Sequence, residues 1–518
     1  MFGSGLKLVN YGAKQMASGM NRYLAAFQDF KKKFNHSAGQ TATEGKATDS
    51  SSSTEKKRQK RKRKREVAKK AEFVRPGLSP LAKLKQRDPS IKYIRNPLKA
   101  PKILDAKNFF SKHGGGNPFK TFVNAKTGWR TVAKLSVRGK PPHKSPVIGL
   151  FAPKSHRIVR IPNSPAHHPA INSAVAKCEY ALSMVPQVKG YDGENPGGIS
   201  YVALSVQRKD AKIQLVLVFN NKSLEEIGSK RIKKLIKYLT TEPDAKNKKK
   251  KKKRQKDGSS RNASLPSSSV TRAACTFHSI WVHLHPCGRH DNSIFGRNEK
   301  SWKCVYGNDA GVEERLRIIS RDIVAKNAKT NYKPTLYFPP FVFRQANLDA
   351  FENIVRVIRK YLSPDKSVVE LYGGVGTIGL NILDLVKDLS CSDENPHNKK
   401  CFQRSKSGLP PSFQQKIDYT TGSASEMVVN KKELLGKDIC IVDPPRKGLD
   451  DDVIEGLLSS GGPRRLIYIS CGFKAFKRDF EALTSGNRNG SFSLLHAEGH
   501  VLFPGADHLE TVAIFDKK

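Results

Sequence analysis

The chain has 518 residues, enough for two to four domains and at least one substantial apolar core. Its 94 Lys and Arg against 46 Asp and Glu give a formal charge of +48, which points to a polyanionic partner and ranks acidic small ligands low. No run approaches the roughly 18 consecutive apolar residues of a membrane span, no secretory pattern opens the chain, and no CxxC pair occurs among the eight cysteines. The sequence therefore predicts no membrane partner, no disulfide framework and no zinc ribbon.

Charge is unevenly placed. Residues 1–120 carry 29 basic and 8 acidic side chains, whereas residues 346–518 carry 23 of each. A neutral C-terminal third behind a basic front half predicts chemistry in one part and nucleic-acid binding in the other. Residues 1–115, rich in Ser, Lys and Gly, read as a disordered basic extension. Within it the block Lys56 to Arg65, KKRQKRKRKR, suits a nuclear or nucleolar address or a nucleic-acid tether. The opening stretch holds one acid, Asp29, among spaced Lys and Arg, which also fits a mitochondrial or plastid transit peptide.

From Gly128 the texture changes. Trp129 to Val137, Val147 to Pro153, His156 to Pro162, the run ISYVALSVQ and Ile213 to Phe219 predict strands, and Leu224 to Leu239 predicts a helix. Residues 116–345 are expected to form a β-rich α+β domain that faces nucleic acid. The lysine run Lys246 to Lys256 and the Ser-rich sequence after it, within residues 241–270, read as an insertion, because strand-like IWVHLH and WKCVYG resume beyond it. The segment HLHPCGRH carries His283, His285, Cys287 and His290, but a Pro-Cys-Gly turn usually just ends a strand, and no metal is assigned. His167 and His168 read as loop residues near the nucleic acid.

After a helix around Leu348 to Leu362, SVVELYGGVGTIGLNILDLV predicts a buried strand, a glycine turn and a helix. Gly374, Gly376 and Gly379 have GxGxxG spacing, where missing side chains let a ligand approach backbone at a helix start. A dinucleotide domain and an S-adenosylmethionine domain both fit, with Asp393 placed to hold a ribose in either. In Asp438 to Leu449, DICIVDPPRKGL, an apolar strand delivers Asp443 to its end, where Pro444 and Pro445 forbid further pairing. A third strand, RLIYISCGF, carries Cys471 to the equivalent place. Residues 346–518 are expected to be an α/β, doubly wound, Rossmann-like domain.

At these residues the chain closely resembles the RNA uracil-5-methyltransferases, the S-adenosylmethionine-dependent enzymes that form 5-methyluridine in tRNA and rRNA. The resemblance covers about residues 121–518 apart from the lysine-rich insertion. It rests on FVFRQAN with Gln345, ELYGGVGTIGL, DENP, VDPPRKGL, YISC and FPGADHLETVAIF, in that order. It implies that Gln345, Tyr372, Thr377, Asp393 and Asp443 contact S-adenosylmethionine, that Cys471 is the nucleophile and that Glu510 is the general base. It also sets Arg446 beside the reacting base, where its cation would favour a thiolate. The implied reaction needs Cys471 to add to C6 of an unpaired or flipped uracil, so that C5 becomes nucleophilic, and a base to remove the C5 proton afterwards.

The resemblance implies RNA as partner, tRNA before rRNA, since neither an N-terminal TRAM barrel nor an iron-sulfur cysteine set is legible. A monomer suffices. The chain departs from the family where the cysteine is followed by Gly472 and Phe473 instead of the usual YISCNP, and where LYGGVG replaces LYCGVG. The acidic turn SDENP leaves Glu394 as an alternative ribose contact. From another class, the competing expectation is a nuclear RNA-binding factor whose methyltransferase domain has lost activity.

Overall fold

The computed structural model describes residues 88–114, 118–139, 146–152, 155, 157–192, 197–241, 275–286, 298–318, 332–485 and 490–518. Lys56 to Arg65, Lys246 to Lys256, Cys287 and His290 lie outside them. The described chain opens with short 3-10 turns at Pro89–Ile91 and Pro97–Lys99, then a helix, Pro101–His113, and strand β1 (Lys120–Val123). The expectation of an extension without regular structure as far as residue 115 is corrected here. A proline starts both turns and the helix with its φ already set, and Ile103, Ala106 and Phe110 give the helix one buried face.

Strands β2 (Val132–Arg138), β3 (Val147–Phe151), β4 (Ile158–Val159), β5 (Ile199–Val206), β6 (Ile213–Phe219), β7 (Phe277–Leu284) and β8 (Trp302–Gly307) form a seven-stranded sheet in the order β4-β3-β2-β5-β6-β7-β8. Its pairs are antiparallel except β6 with β7. A parallel pair needs a crossover, and this one contains the helix Ser229–Thr240 and the lysine-rich sequence, so the insertion enlarges a connection that the sheet requires. Residues alternate across the sheet. Val202, Leu204, Leu215 and Leu217 pack with the helices Pro169–Met184 and Ser229–Thr240, whereas Ala203, Val216 and Val218 pack with Trp281, Trp302 and Phe341.

A two-stranded ribbon, β9 (Val312–Glu314) with β10 (Leu336–Phe338), leads to the helix Leu348–Lys360 and a second sheet. That sheet contains β11 (Ser367–Leu371), β12 (Asp388–Asp393), β13 (Ile417–Thr421), β14 (Ile439–Val442), β15 (Arg465–Ser470), β16 (Phe492–Val501) and β17 (Glu510–Lys517). With β1 it has eight strands in the order β1-β16-β17-β15-β14-β11-β12-β13, and only β17 runs against the others. The order reverses at β11, between β12 and β14, which opens a crevice at the carboxyl ends of these strands.

Apolar layers cover both faces of this sheet. Leu348, Ile354, Ile358 and Phe402 lie on one side; Ile103, Phe110, Leu457, Phe476 and Phe480 lie on the other. The helix Pro101–His113 thus completes a layer of the C-terminal sheet, although residues 101–123 precede the β-rich sheet in the chain. The expected helix after the glycine turn is replaced by two 3-10 turns, Gly379–Asn381 and Leu383–Leu385. Ile378, Leu380, Ile382 and Leu383 are all buried there, so the segment lacks the solvent face of an amphipathic helix. Two side chains also fix the turns, since Glu370 accepts the Gly379 N–H at 3.1 Å and the Asn381 amide donates to the Thr377 carbonyl at 2.9 Å.

Candidate active site

The carboxyl edge of the second sheet gathers the chemistry-bearing residues. At the end of β11 the chain turns through Tyr372, Gly374 and Gly376, all with positive φ (59°, 57° and 79°). A Cβ at Gly374 would meet nothing within 4 Å, so this part of the turn faces open space and its backbone is accessible to a ligand. The Asp393 carboxylate, at the end of β12, accepts the Gly374 N–H at 3.0 Å, the Asn395 N–H at 2.8 Å and an Asn398 side-chain N–H at 2.9 Å. It thereby fastens the glycine turn to the acidic turn, while Glu394 is exposed. Thr377 is half-buried beside them. The Tyr372 side chain packs into the apolar layer below the sheet, so its main chain is the part that belongs to the turn.

The FVFRQAN loop reaches the same place through anchors on both sides of Gln345. The Asn395 side chain donates to the Phe341 carbonyl at 3.4 Å, and the Asn347 side chain donates to the Leu502 carbonyl at 2.8 Å. Gln345, half-buried, is held between the acidic turn and the segment that precedes Glu510.

Asp443 stands where β14 ends, and Cys471 one residue past the end of β15. Because β17 is antiparallel, its first residue, Glu510, arrives at the same edge. The register pairs Ser470 with Thr511, so the next step along each strand sets Cys471 beside Glu510. Among the described residues no hydrogen-bond donor reaches Asp443, and burial pushes its carboxyl up to about 7. Burial, with the Asp443 charge nearby, holds the Glu510 carboxyl well above its usual range. The Cys471 thiol is pushed up to about 11 by burial and then by Glu510 and Asp443, while Arg446 pulls it down. The expectation that Arg446 favours a thiolate is thus met only in direction. Burial and the two neighbouring acids outweigh one exposed guanidinium.

Gly472 accounts for the departure from YISCNP. A Cβ there would stand 2.5 Å from the Arg446 carbonyl oxygen and 3.0 Å from its Cα. The cysteine turn and the DPPR turn therefore meet main chain to main chain.

Several contributors had weaker signals in the sequence. Asp479, fully buried, accepts the Leu449 N–H at 2.9 Å and the Tyr468 hydroxyl at 2.6 Å, which pins the DPPRKG turn from the helix Phe473–Thr484. Its sign was an acid on the apolar stripe Phe473, Phe476, Phe480 and Leu483. Buried Arg344 and Arg208 share Glu314, and Arg208 also reaches Glu352 at 2.8 Å, a network that clamps the FVFRQAN loop to the β5–β6 turn. Trp129 lies edge-on to Phe503 at 5.4 Å, and His508 is edge-on to Phe503 at 4.4 Å with Nε2 3.6 Å from Glu510. Desolvation, with Arg446, Lys102 and Arg130 nearby, holds His508 down to about 3, hence neutral.

The histidines singled out elsewhere have structural surroundings. His283 is buried and stacks on Trp302 at 3.8 Å. His167 is buried against Asn172, and His168, in the loop just before the helix Pro169–Met184, caps it by accepting the Ala170 N–H. No group of three or more metal-ligating side chains occurs among the described residues.

No family model matches the chain. Among curated proteins it is 35% identical over 391 residues to an uncharacterized RNA methyltransferase of Protochlamydia amoebophila, covering 76% of this chain and 86% of that protein. It is 22% identical over 396 residues to an uncharacterized RNA methyltransferase of Geobacter sulfurreducens, covering 75% of this chain and 66% of that one. Among solved structures it is similar to the Pyrococcus abyssi tRNA (uracil-54, C5)-methyltransferase in complex with S-adenosyl-L-homocysteine, with a TM-score of 0.54 and 17% identity over 85% of this chain and 87% of that one. That likeness establishes a shared fold. The relationship to the first of these proteins, together with the carboxyl-edge crevice, establishes that the chain belongs to the family of RNA methyltransferases.

Proposed function

We propose that this RNA methyltransferase uses S-adenosylmethionine to methylate C5 of a uracil in RNA, with tRNA as the first substrate to test and rRNA as the alternative. The observation that carries the reading is the meeting of Cys471, Glu510, Asp443 and Arg446 at one sheet edge, across segments far apart in the chain. A cationic cofactor fits this crevice. Asp443 has no partner among the described residues, and Gly374 leaves an open main-chain cradle beside Asp393. Gln345, Thr377, Asp393, Asp443 and the main chain at Tyr372 would hold the cofactor, which when bound supplies an electrophilic methyl group on a sulfonium.

The chain's own residues supply the rest. Cys471 gives its proton to water and its sulfur bonds to C6 of the uracil, so that the electron pair of the C5–C6 double bond makes C5 nucleophilic. Arg446 stabilises the negative charge that develops on the carbonyl oxygen at C4. Once C5 carries the methyl group, Glu510 takes the C5 proton, the double bond re-forms and the C6–sulfur bond breaks. Glu510 arrives at the same sheet edge as Cys471, which supports this role.

Nucleoside mass spectrometry on tRNA and rRNA transcripts incubated with the protein and S-adenosylmethionine tests the reading. The expected result is 5-methyluridine with the intact protein, none with Cys471→Ala, and RNA affinity of that variant within a few-fold of normal. Methylation by Cys471→Ala would refute the nucleophile. Binding without methylation of either RNA would favour an RNA-binding factor with a silent site. A nuclear destination is proposed from Lys56 to Arg65; unchanged nuclear accumulation of a fusion lacking that block would refute it.

A further inference from the structure

The helix Ser229–Thr240 has a feature that neither the fold nor the reaction uses. Its sequence, SKRIKKLIKYLT, buries Ile232, Leu235 and Leu239 against the β-rich sheet and exposes Lys230, Arg231, Lys233, Lys234 and Lys237. The four lysines follow the i, i+3, i+4, i+7 spacing of one helical face, a stripe about 10 Å long. Among the described residues none of the four forms an ion pair. The acids that precede the stripe, Glu225 and Glu226, belong to the preceding turn, where Glu226 accepts the Lys222 N–H at 2.9 Å and an Asn221 side-chain N–H at 3.3 Å. Like charges at i and i+4, as in Lys230 with Lys234 and Lys233 with Lys237, repel and weaken a helix. The fold gains nothing from that repulsion, whereas a polyanion laid along the stripe would relieve it.

We propose that this stripe is a second RNA-docking face that grips the phosphate backbone of the substrate at a place remote from the target uracil. The inference rests on the proposed function for the identity of the RNA. Remoteness follows from the sheet: the helix covers the face bearing Val202, Leu204, Leu215 and Leu217, while the opposite face, with Ala203 and Val216, carries Trp281, Trp302 and Phe341 and leads to the crevice. An RNA that touches both must pass around the β-rich sheet, so a compactly folded molecule reaches the stripe and an isolated stem-loop does not. Backbone contacts of this kind carry no base specificity. They supply affinity and position the RNA for the reacting edge.

The test uses the full-length chain with Lys230, Lys233, Lys234 and Lys237 each replaced by alanine, which raises helix propensity and leaves the buried face intact. Binding of a full tRNA transcript and of a stem-loop excised from it is measured over a range of salt concentrations. The expected outcome is at least tenfold weaker binding of the full transcript and a salt slope shallower by about one for each lysine that met a phosphate. Stem-loop affinity should change by less than about twofold. Unchanged affinity for the full transcript would overturn the proposal, as would an equal loss on both RNAs, or loss of binding confined to polyglutamate as a stand-in for an acidic protein. Failure of the intact protein to methylate either RNA would count against the proposed function alone, because docking is read from binding.

Discussion

Replacing Gly472 with alanine tests whether the cysteine turn and the DPPR turn act as one unit. The added Cβ would stand 2.5 Å from the Arg446 carbonyl oxygen, 3.0 Å from its Cα and 3.1 Å from its carbonyl carbon. Favourable carbon contacts begin near 3.5 Å, so one turn must retreat by about 0.5 to 1 Å. All three opposing atoms are main chain, and no rotamer change relieves them. Overpacking of this kind costs about 1–3 kcal/mol of stability. A displacement of about 1 Å at a reacting group costs about 100-fold in rate. Gly472→Ala is therefore expected to lower the single-turnover methylation rate by about 100-fold while RNA affinity changes less than about threefold. Gly472→Asn, which writes the usual family residue into this chain, should fall at least as far. Rates at saturating RNA and cofactor, with thermal melts to exclude unfolding, provide the assay. A normal rate for Gly472→Ala, or a gain for Gly472→Asn, would refute the coupling of the two turns.

Other perturbations probe the electrostatics. Glu510→Gln removes the largest charge that raises the Cys471 thiol, so site-resolved alkylation should report a titration midpoint below the value of about 11 in the intact protein; an unmoved midpoint would separate the two groups. Glu370, buried between Gly379 and Cys391, is pushed up to about 8 by burial, above its unfolded value. Its stabilising contribution is full below the unfolded pKa and is lost as pH rises through about 8, so melting temperature should fall from weakly acidic to alkaline pH, and Glu370→Gln should flatten that fall. An equally steep profile in the variant would assign the dependence to other groups. Glu314→Ala strands the buried cation of Arg344, while Arg208 keeps Glu352, and should cost about 3–5 kcal/mol in urea unfolding; a loss under about 1 kcal/mol would mean that Arg344 does not depend on Glu314.

The parts of the site that were legible are those written locally. Asp443 and Cys471 each follow an apolar run that ends in Pro or Gly, and such runs fold as buried strands whose ends are marked by their own residues. The strand and turn of ELYGGVG were readable for the same reason, whereas the helix expected after them was not formed, because burial of Ile378, Leu380 and Ile382 on every side removed the solvent face that a surface helix needs. The helix Pro101–His113 was hidden inside a basic, polar segment. Its apolar residues are few, and only their seat against Phe476 and Phe480 makes them decisive.

Composition and order along the chain determine the division between a basic front half and a neutral reactive third, the strands that carry Asp443 and Cys471, and the helix that bears the lysine stripe, because charge and periodicity are local properties. The nearness of Glu510 to Cys471 comes from the antiparallel register of β17, and the direction of the thiol shift comes from the balance of burial and two carboxylates against Arg446. Register and burial sum contributions from residues far apart in the chain, and no local pattern contains that sum.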